Sequence, residues 1–253
     1  MTQDRRDSLD FAQRLAHACA DALRADASGA SLVAAFVHGS LTTDDFVPGR
    51  SDIDLLVIVD CELVDSQLEC LRDVSTTVMS EQSSRVDLRV VTQETASSPA
   101  RTPMIELYVG YRPGADPEVL TRAAERDLLV EFSVVRQSGM ALIGPRPQSV
   151  IAEPRTDWML EHSDGVLAAW EQLTDDARHA ELMVLTTCRI WRFAIERQHC
   201  SKTEAGRWAL ARDPSLVAVS QALAQRLSGD TKAINPRAIA RLLAVVRADF
   251  RTR

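Results

Sequence analysis

One segment of the sequence, HGSLTTDDFVPGRSDIDLLVIVD at residues 38–60, contains two acidic residues at a spacing that suits metal chemistry. Asp52 and Asp54 stand two positions apart at the start of an apolar run. In a strand, both side chains therefore point to the same face. A carboxylate pair beside a core strand destabilises a fold unless something neutralises it. The pair is either a solvated strand cap or a site for a cation.

A third acid, Asp87, lies inside a second strand-like segment, RVDLRVV at residues 85–91, with apolar neighbours on the opposite face. If the two strands are adjacent, the carboxylates of Asp52, Asp54 and Asp87 converge on one surface. Such a cluster repels itself, whereas one or two Mg²⁺ ions turn it into a metal site with oxygen ligands. The sequence therefore predicts these three acids as Mg²⁺ ligands.

Gly39 and Ser40 follow a short apolar run, SLVAAFV, and precede a segment typical of a helical turn. The backbone N–H groups and the hydroxyl of such a turn suit phosphate oxygens. Phosphate, divalent metal and acids together indicate phosphoryl or nucleotidyl transfer. Each motif alone is weak, because a DxD pair is usually a strand edge and Gly-Ser usually a turn. Their order and spacing strengthen the combination.

The elements that must position these residues fall into two parts. Hydrophobic periodicity predicts a helix over 8–25 and a helix-length stretch over 118–138. Short apolar or alternating runs predict four strands, at 31–37, 53–59, 85–91 and 141–145. Residues 1–150 are therefore predicted to form an α/β domain.

Strand signals stop beyond a cluster of prolines around residue 150, and helical patterns follow. The pattern predicts five helices, at 158–172, 177–198, 202–212, 215–227 and 236–250. Ser201 and Glu204 have the spacing of a capping box, and Asn235-Pro236 is a typical helix start. Residues 151–253 are therefore predicted to form an all-α helical bundle.

Composition and charge exclude several classes of protein. Of the 253 residues 45% are hydrophobic, and no apolar run is long enough to span a bilayer. Residues 1–150 carry 23 acids against 14 arginines and no lysine, a balance that argues against binding to nucleic acid. Five cysteines without a CxxC pair favour the reducing cytoplasm over a zinc site. We expect a cytoplasmic monomer with no secretory signal.

These motifs resemble a known superfamily. The Gly-Ser pair, eleven intervening residues, DID running into an apolar strand and a later in-strand acid resemble the DNA-polymerase-beta-type nucleotidyltransferases. The segments SDIDLLV, ELYVGY, ALIGP, VLTTCRIW and SKTEAGRWAL, in that order, resemble the bacterial aminoglycoside adenylyltransferases that act on streptomycin and spectinomycin. The resemblance implies a small mixed sheet with flanking helices, followed by a helical bundle.

The resemblance also implies an activity, the Mg²⁺-dependent transfer of AMP from ATP to an antibiotic hydroxyl, with pyrophosphate leaving. Asp52 and Asp54 match the family's metal ligands, and Asp87 matches its third acid, the general base. Five residues match nucleotide or phosphate contacts: Gly39, Ser40, Ser51, Arg189 and Lys202.

Two departures from the family pattern concern the substrate side. The third acid is usually Glu, and the shorter Asp87 suits either a metal ligand or a base. Arg112 stands where streptomycin-modifying members carry tryptophan, which favours spectinomycin or another compact aminocyclitol. Aromatic and acidic residues predicted to contact the antibiotic, besides Arg112, are Tyr108, Tyr111, Asp175, Asp176 and Glu181.

Two other functions are compatible with the same motifs. One is a nucleotidyltransferase that modifies a protein or a nucleotide, and the other is a non-catalytic nucleotide-binding regulator. The intact Gly-Ser pair and three acids disfavour the regulator, because a decayed site usually loses a metal ligand first.

Overall fold

The computed structural model describes residues 2–26 and 29–251 and divides between Arg155 and Thr156 into two units. The first unit is a mixed sheet with flanking helices, and the second is helical. This confirms the predicted fold class of α/β followed by all-α.

Within the described part of the first unit, six strands form one sheet in the order β5-β4-β3-β2-β1-β6. The strands are β1 (Leu32–His38), β2 (Ile53–Val59), β3 (Val86–Thr92), β4 (Met104–Tyr111), β5 (Glu118–Ala124) and β6 (Met140–Ile143). Strands β2 and β3 are parallel, whereas the other neighbours pair antiparallel. A parallel pair needs a crossover, and helix α2 (Asp65–Ser80) supplies it.

Helices cover both faces of this sheet. On one face, α1 (Gln3–Ala25) and α2 pack over side chains such as Leu55 and Leu88. On the other face, α4 (Asp127–Ser138) packs over Phe36 and Leu56, and the short α3 (Gln93–Ser97) follows β3. Strands β1 and β2, buried on both faces, read as nearly continuous apolar runs, which is why their positions were predicted. Strand β4 is also buried but was not predicted, because Glu106 and Gly110 interrupt its apolar residues.

The helix-length stretch predicted over 118–138 is wrong in its first half. Residues Glu118–Ala124 form β5, the edge strand beside β4, and α4 begins only at Asp127. The segment is largely exposed, so its sequence lacks the apolar face that usually marks a strand. Pairing with β4, a tertiary interaction, decides its conformation.

The second unit contains five helices among its described residues, with bounds close to those predicted. They are α5 (Thr156–Trp170), α6 (Ala180–Glu196), α7 (Lys202–Arg212), α8 (Val217–Ser228) and α9 (Pro236–Arg251). The capping box of Ser201 and Glu204 is present, and Asn235 accepts hydrogen bonds at the start of α9. Throughout both described ranges, every helix is too short or too polar to cross a membrane.

Candidate active site

Four residues form one row across the sheet at the end of the face that α4 covers. His38 of β1 pairs with Asp54 of β2, Asp54 with Asp87 of β3, and Asp87 with Gly110 of β4. Side chains two positions apart share a face, and Phe36 and Leu56 belong to the core beneath α4. The parallel register therefore places two of the three predicted acids side by side.

Asp54 lies against the turn that follows β1. Gly39 has a φ of +70°, and a Cβ built on it would lie 2.3 Å from Asp54 Oδ2, so only glycine allows this approach. Burial raises the pKa of Asp54 to about 6; the negative charges of Asp87 and Asp52 add to this, and His38 opposes it. The fold therefore leaves the negative charge of Asp54 only partly compensated, a condition that favours cation binding.

Asp87 is held by the protein itself. Arg112 Nη2 donates to both carboxylate oxygens at 2.9 and 3.1 Å, and the Tyr108 hydroxyl donates to Oδ1 at 2.7 Å. Gly110, opposite Asp87, makes room for this contact, because a Cβ there would lie 2.5 Å from the Tyr108 hydroxyl. Burial, followed by the charge of Asp87, raises the pKa of Tyr108. Two predicted substrate contacts, Tyr108 and Arg112, thus contact the third acid.

Tyr111, the third residue of this region that was predicted to contact the substrate, lies away from Asp87. It pairs with Val86, one position along from the Asp87 row, and packs against the core beneath α1 and α2. The alternation of β4 therefore sends Tyr111 to the opposite face of the sheet from Asp87. The structure does not bring it to the acids.

Asp52 lies one residue before β2, with 34% of its side chain exposed and Arg85 Nη1 3.9 Å from Oδ1. Across the described ranges, no three His, Cys, Asp or Glu side chains are grouped closely enough to hold a metal ion. Both oxygens of Asp87 accept hydrogen bonds from Arg112 or Tyr108. The metal roles of Asp52, Asp54 and Asp87 stay a prediction.

The predicted phosphate-binding turn forms a short 3-10 helix, Gly39–Leu41. The hydroxyl groups of Thr42 and Thr43 donate to Gly39 O at 3.1 Å, which fixes the turn. The Ser40 hydroxyl is buried and has no hydrogen-bond partner within residues 2–26 and 29–251. A buried hydroxyl without a partner is costly, so the turn suits a ligand that carries acceptor oxygens.

Ser51, predicted to contact the triphosphate, closes the loop before β2. Its hydroxyl accepts a hydrogen bond from Val47 N at 2.9 Å, and its own N–H donates to Val47 O at 2.9 Å. The side chain is buried, so the structure shows a role in the loop. Its contact with the nucleotide stays a prediction.

A buried ion network beneath the row was missed by sequence reasoning. Glu131 of α4 places Oε1 3.2 Å from His38 Nε2 and Oε2 3.2 Å from Arg89 Nε. The Arg89 guanidinium lies 5.0 Å from the centre of the Tyr108 ring. A signal existed, because Glu131 interrupts the apolar run LLVEFSVV and Arg89 interrupts DLRVV, two charges of opposite sign in core segments.

Burial and charge act in opposite directions on this network. Burial favours neutral His38, but contact with Glu131 and its charge outweigh burial, so the pKa of His38 is raised. Burial also favours protonated Glu131, yet the charge of Arg89 and the contact with His38 leave the pKa of Glu131 lowered. Both shifts favour the charged forms of His38 and Glu131.

The candidates in the second unit lie on α6, on α7 and in the segment before α6. Arg189 is on α6, and Lys202 is the first residue of α7. Asp176 accepts from His179 Nδ1 at 2.7 Å and from two backbone N–H groups, so it orders the start of α6. Glu181 pairs with Arg226 at 3.4 Å, and Asp175 is exposed. Their predicted contacts with nucleotide and antibiotic stay predictions.

Comparison with known proteins agrees with this geometry. A nucleotidyltransferase domain model matches residues 19–107, and a model of the C-terminal domain of aminoglycoside adenylyltransferase matches residues 152–247. Aminoglycoside (3'') (9) adenylyltransferases from Klebsiella pneumoniae, Shigella flexneri and Escherichia coli are each 28% identical over 196 residues, 73% of this chain and 73% of theirs.

The fold also matches a solved structure, that of spectinomycin adenyltransferase from Enterococcus faecialis with ATP and spectinomycin. The TM-score is 0.71 at 16% identity, and the match covers 99% of this chain and 100% of that one. The nucleotidyltransferase domain model covers residues 19–107, which include His38, Asp54 and Asp87, and the fold agrees with that match. The protein is therefore a nucleotidyltransferase. The match of the helical unit is more specific. Over residues 152–247 the chain resembles the C-terminal domain of aminoglycoside adenylyltransferases.

Proposed function

We propose that this enzyme transfers AMP from ATP to a hydroxyl group of an aminoglycoside or aminocyclitol antibiotic, with Mg²⁺ bound and pyrophosphate leaving. The observation that carries the proposal is the placement of Asp54 beside Asp87 and against the Gly39–Ser40 turn. The relatives named above are adenylyltransferases of such compounds, which supports the substrate class.

The carboxylates of Asp54 and Asp52 are suitable ligands for Mg²⁺. This ion usually binds to one or two carboxylates and completes its coordination with water and substrate phosphates. Asp54, with a pKa raised to about 6, gains most from a nearby cation, and Asp52 would be the second ligand. When bound, Mg²⁺ neutralises charge on the triphosphate during transfer.

The protein's own groups divide the remaining tasks. The Gly39–Ser40 turn presents a hydroxyl and backbone N–H groups to the triphosphate. The substrate hydroxyl oxygen forms a bond to the α-phosphorus, the α–β phosphate bond breaks, and the hydroxyl proton passes to Asp87. Tyr108 and Arg112 hold that carboxylate in one orientation. Arg189 and Lys202, by resemblance to the family, contact the nucleotide.

For the substrate, we propose a preference for spectinomycin or another compact aminocyclitol over streptomycin. Arg112 places a positive charge beside Asp87, where a large polycationic drug is repelled rather than stacked. Because Arg112 also holds Asp87, its substitution changes catalysis as well as this repulsion. The informative quantity is therefore the ratio of the kcat/KM values for the two drugs, not either value alone.

Pyrophosphate release from ATP, measured with Mg²⁺ and a panel of antibiotics, tests the proposal. We expect release that depends on an added aminoglycoside or aminocyclitol, and one AMP on the drug by mass spectrometry. Turnover without any drug would indicate another acceptor, such as a protein or a nucleotide. ATP binding without turnover would indicate a nucleotide-binding regulator, and either result would overturn the proposal.

A further inference from the structure

The Glu131 carboxylate connects two strands of the site through ion pairs on both of its oxygens. Oε1 lies 3.2 Å from His38 of β1, and Oε2 lies 3.2 Å from Arg89 of β3. Only 8% of the His38 and Glu131 side chains and 17% of the Arg89 side chain are exposed. The network therefore lies under α4 and inside the first unit.

A buried ion network of this kind contributes little net free energy to the stability of a core. Desolvation of each charge destabilises the folded state, and replacing buried ion pairs by apolar side chains of similar volume is often neutral or stabilising. Phe36, two positions before His38, and Leu56, two positions after Asp54, belong to an apolar core on the same face of the sheet, where apolar side chains would be the usual choice. The ions at this position therefore call for a role besides stability.

The two ends of the network lead to the two halves of the proposed site. His38 directly precedes the Gly39–Ser40 turn and is the cross-strand neighbour of Asp54. Arg89 lies two residues after Asp87 on the same face of β3 and stacks on Tyr108, whose hydroxyl donates to Asp87. One carboxylate thus fixes the strand end beside the phosphate turn and the support of the third acid.

We propose that Glu131 is a positioning residue for nucleotidyl transfer, acting through His38 on the phosphate turn and through Arg89 and Tyr108 on Asp87. The inference rests on the proposed function. It predicts that Glu131 affects both the binding of ATP·Mg²⁺ and the rate of transfer, although it touches neither substrate.

The main test compares Glu131→Gln, which removes the charge and keeps the size, with Asp127→Asn on the exposed first turn of the same helix. Calorimetry should show ATP·Mg²⁺ bound about 10-fold more weakly by Glu131→Gln, and kcat should fall by about 10-fold or more. Asp127→Asn should change both by less than about two-fold. Unchanged ATP·Mg²⁺ affinity and kcat in folded Glu131→Gln would overturn the proposal.

A second variant keeps the test decisive if Glu131→Gln fails to fold. Arg89→Lys retains a positive charge but loses the planar guanidinium over Tyr108. It should lower kcat by about 10-fold while leaving ATP·Mg²⁺ affinity within about two-fold, because only the Asp87 end of the network is altered. An unchanged kcat would contradict the proposal.

Non-additivity separates positioning from general destabilisation. If Glu131 acts on Asp87 through Tyr108, the kcat of Arg89→Lys combined with Tyr108→Phe should be no lower than that of the worse single variant. If circular dichroism shows that all variants are folded and the kcat losses of the two single variants multiply in the double variant, this pathway is contradicted. If the wild type transfers AMP to no antibiotic, the proposed function fails, and the calorimetric effect of Glu131→Gln alone decides the positioning role.

Discussion

Asp54 and Asp87 occupy equivalent places on neighbouring strands, yet the fold treats them in opposite ways. They are register partners on the same face of the sheet. Asp87 receives three hydrogen bonds from Arg112 and Tyr108, whereas Asp54 lies against Gly39 with its pKa raised to about 6. Under the proposed function, we assign the two carboxylates different roles: Asp87 is neutralised and oriented by the protein, whereas Asp54 binds a cation.

The most severe test of this comparison is removal of the Asp54 charge. We expect Asp54→Asn to abolish AMP transfer and Mg²⁺-dependent ATP binding, because an amide is a poor ligand for Mg²⁺. Asp52→Asn should do the same if Asp52 is the second ligand. The measurements are pyrophosphate release and calorimetry with and without Mg²⁺. The exposed Asp73→Asn on α2 serves as control, and near-normal activity of Asp54→Asn would refute the metal site.

Substitution of Asp87 should give a smaller loss of a different kind. As the proposed proton acceptor, Asp87→Asn should lower kcat by about 10²–10⁴-fold. Because its oxygens are held by Arg112 and Tyr108, ATP·Mg²⁺ affinity should change little. Calorimetry and steady-state kinetics on one preparation measure both quantities. A large loss of ATP·Mg²⁺ affinity would assign Asp87 to the metal instead, as one of the two roles that the sequence left open.

The donors to Asp87 should have smaller effects again. Tyr108→Phe removes one hydroxyl and should lower kcat by about 10-fold without changing the KM for ATP. Arg112→Gln should also lower kcat, and it should raise the streptomycin-to-spectinomycin ratio of kcat/KM because a positive charge is lost. A falling ratio would mean that Arg112 does not act on the drug. Tyr111→Phe, on the opposite face, is the matched control.

The sequence was informative where burial is complete and local. Strands β1 and β2 are nearly continuous apolar runs, β3 alternates between apolar and charged residues, and the start of α7 has a capping box, so all four features were predictable. The edge strand β5 was not, because its exposed residues carry no pattern and only pairing with β4 makes it a strand.

The same distinction applies to the candidate site. The sequence placed Asp54 and Asp87 in two strands and made their proximity conditional on the pairing of these strands, which the parallel register of β2 and β3 provides. The hydrogen bonds from Arg112 and Tyr108 to Asp87 depend on the β3–β4 register and on the space left by Gly110. The contacts of Glu131 with His38 and Arg89 depend on how α4 packs. Such long-range contacts are absent from local sequence patterns.

The smallest expected effect is on the stability of the folded protein. Substitution by asparagine should stabilise the ligand-free protein at Asp54 and destabilise it at Asp87. The pKa of Asp54 is about 6 in the folded protein against 3.8 without it, so the folded state retains the proton in the interval between. This contribution to stability is fully present below about pH 4 and is lost as the pH rises through 6. Asp54→Asn avoids that loss and should stabilise the ligand-free protein at pH 7.

The size of this effect is bounded. A shift of that extent corresponds to at most about 3 kcal/mol, and partial exposure of Asp54 reduces the expected gain to about 1–2 kcal/mol. Asp87→Asn should instead destabilise by about 1–3 kcal/mol, because it impairs the hydrogen bonds from Arg112 and Tyr108. Urea unfolding from pH 4 to pH 8, without Mg²⁺ or ATP, measures both. The advantage of Asp54→Asn over the wild type should grow from near zero at pH 4 to a plateau above pH 7. A constant advantage, or a loss at pH 7, would show that the fold compensates Asp54 as fully as Asp87.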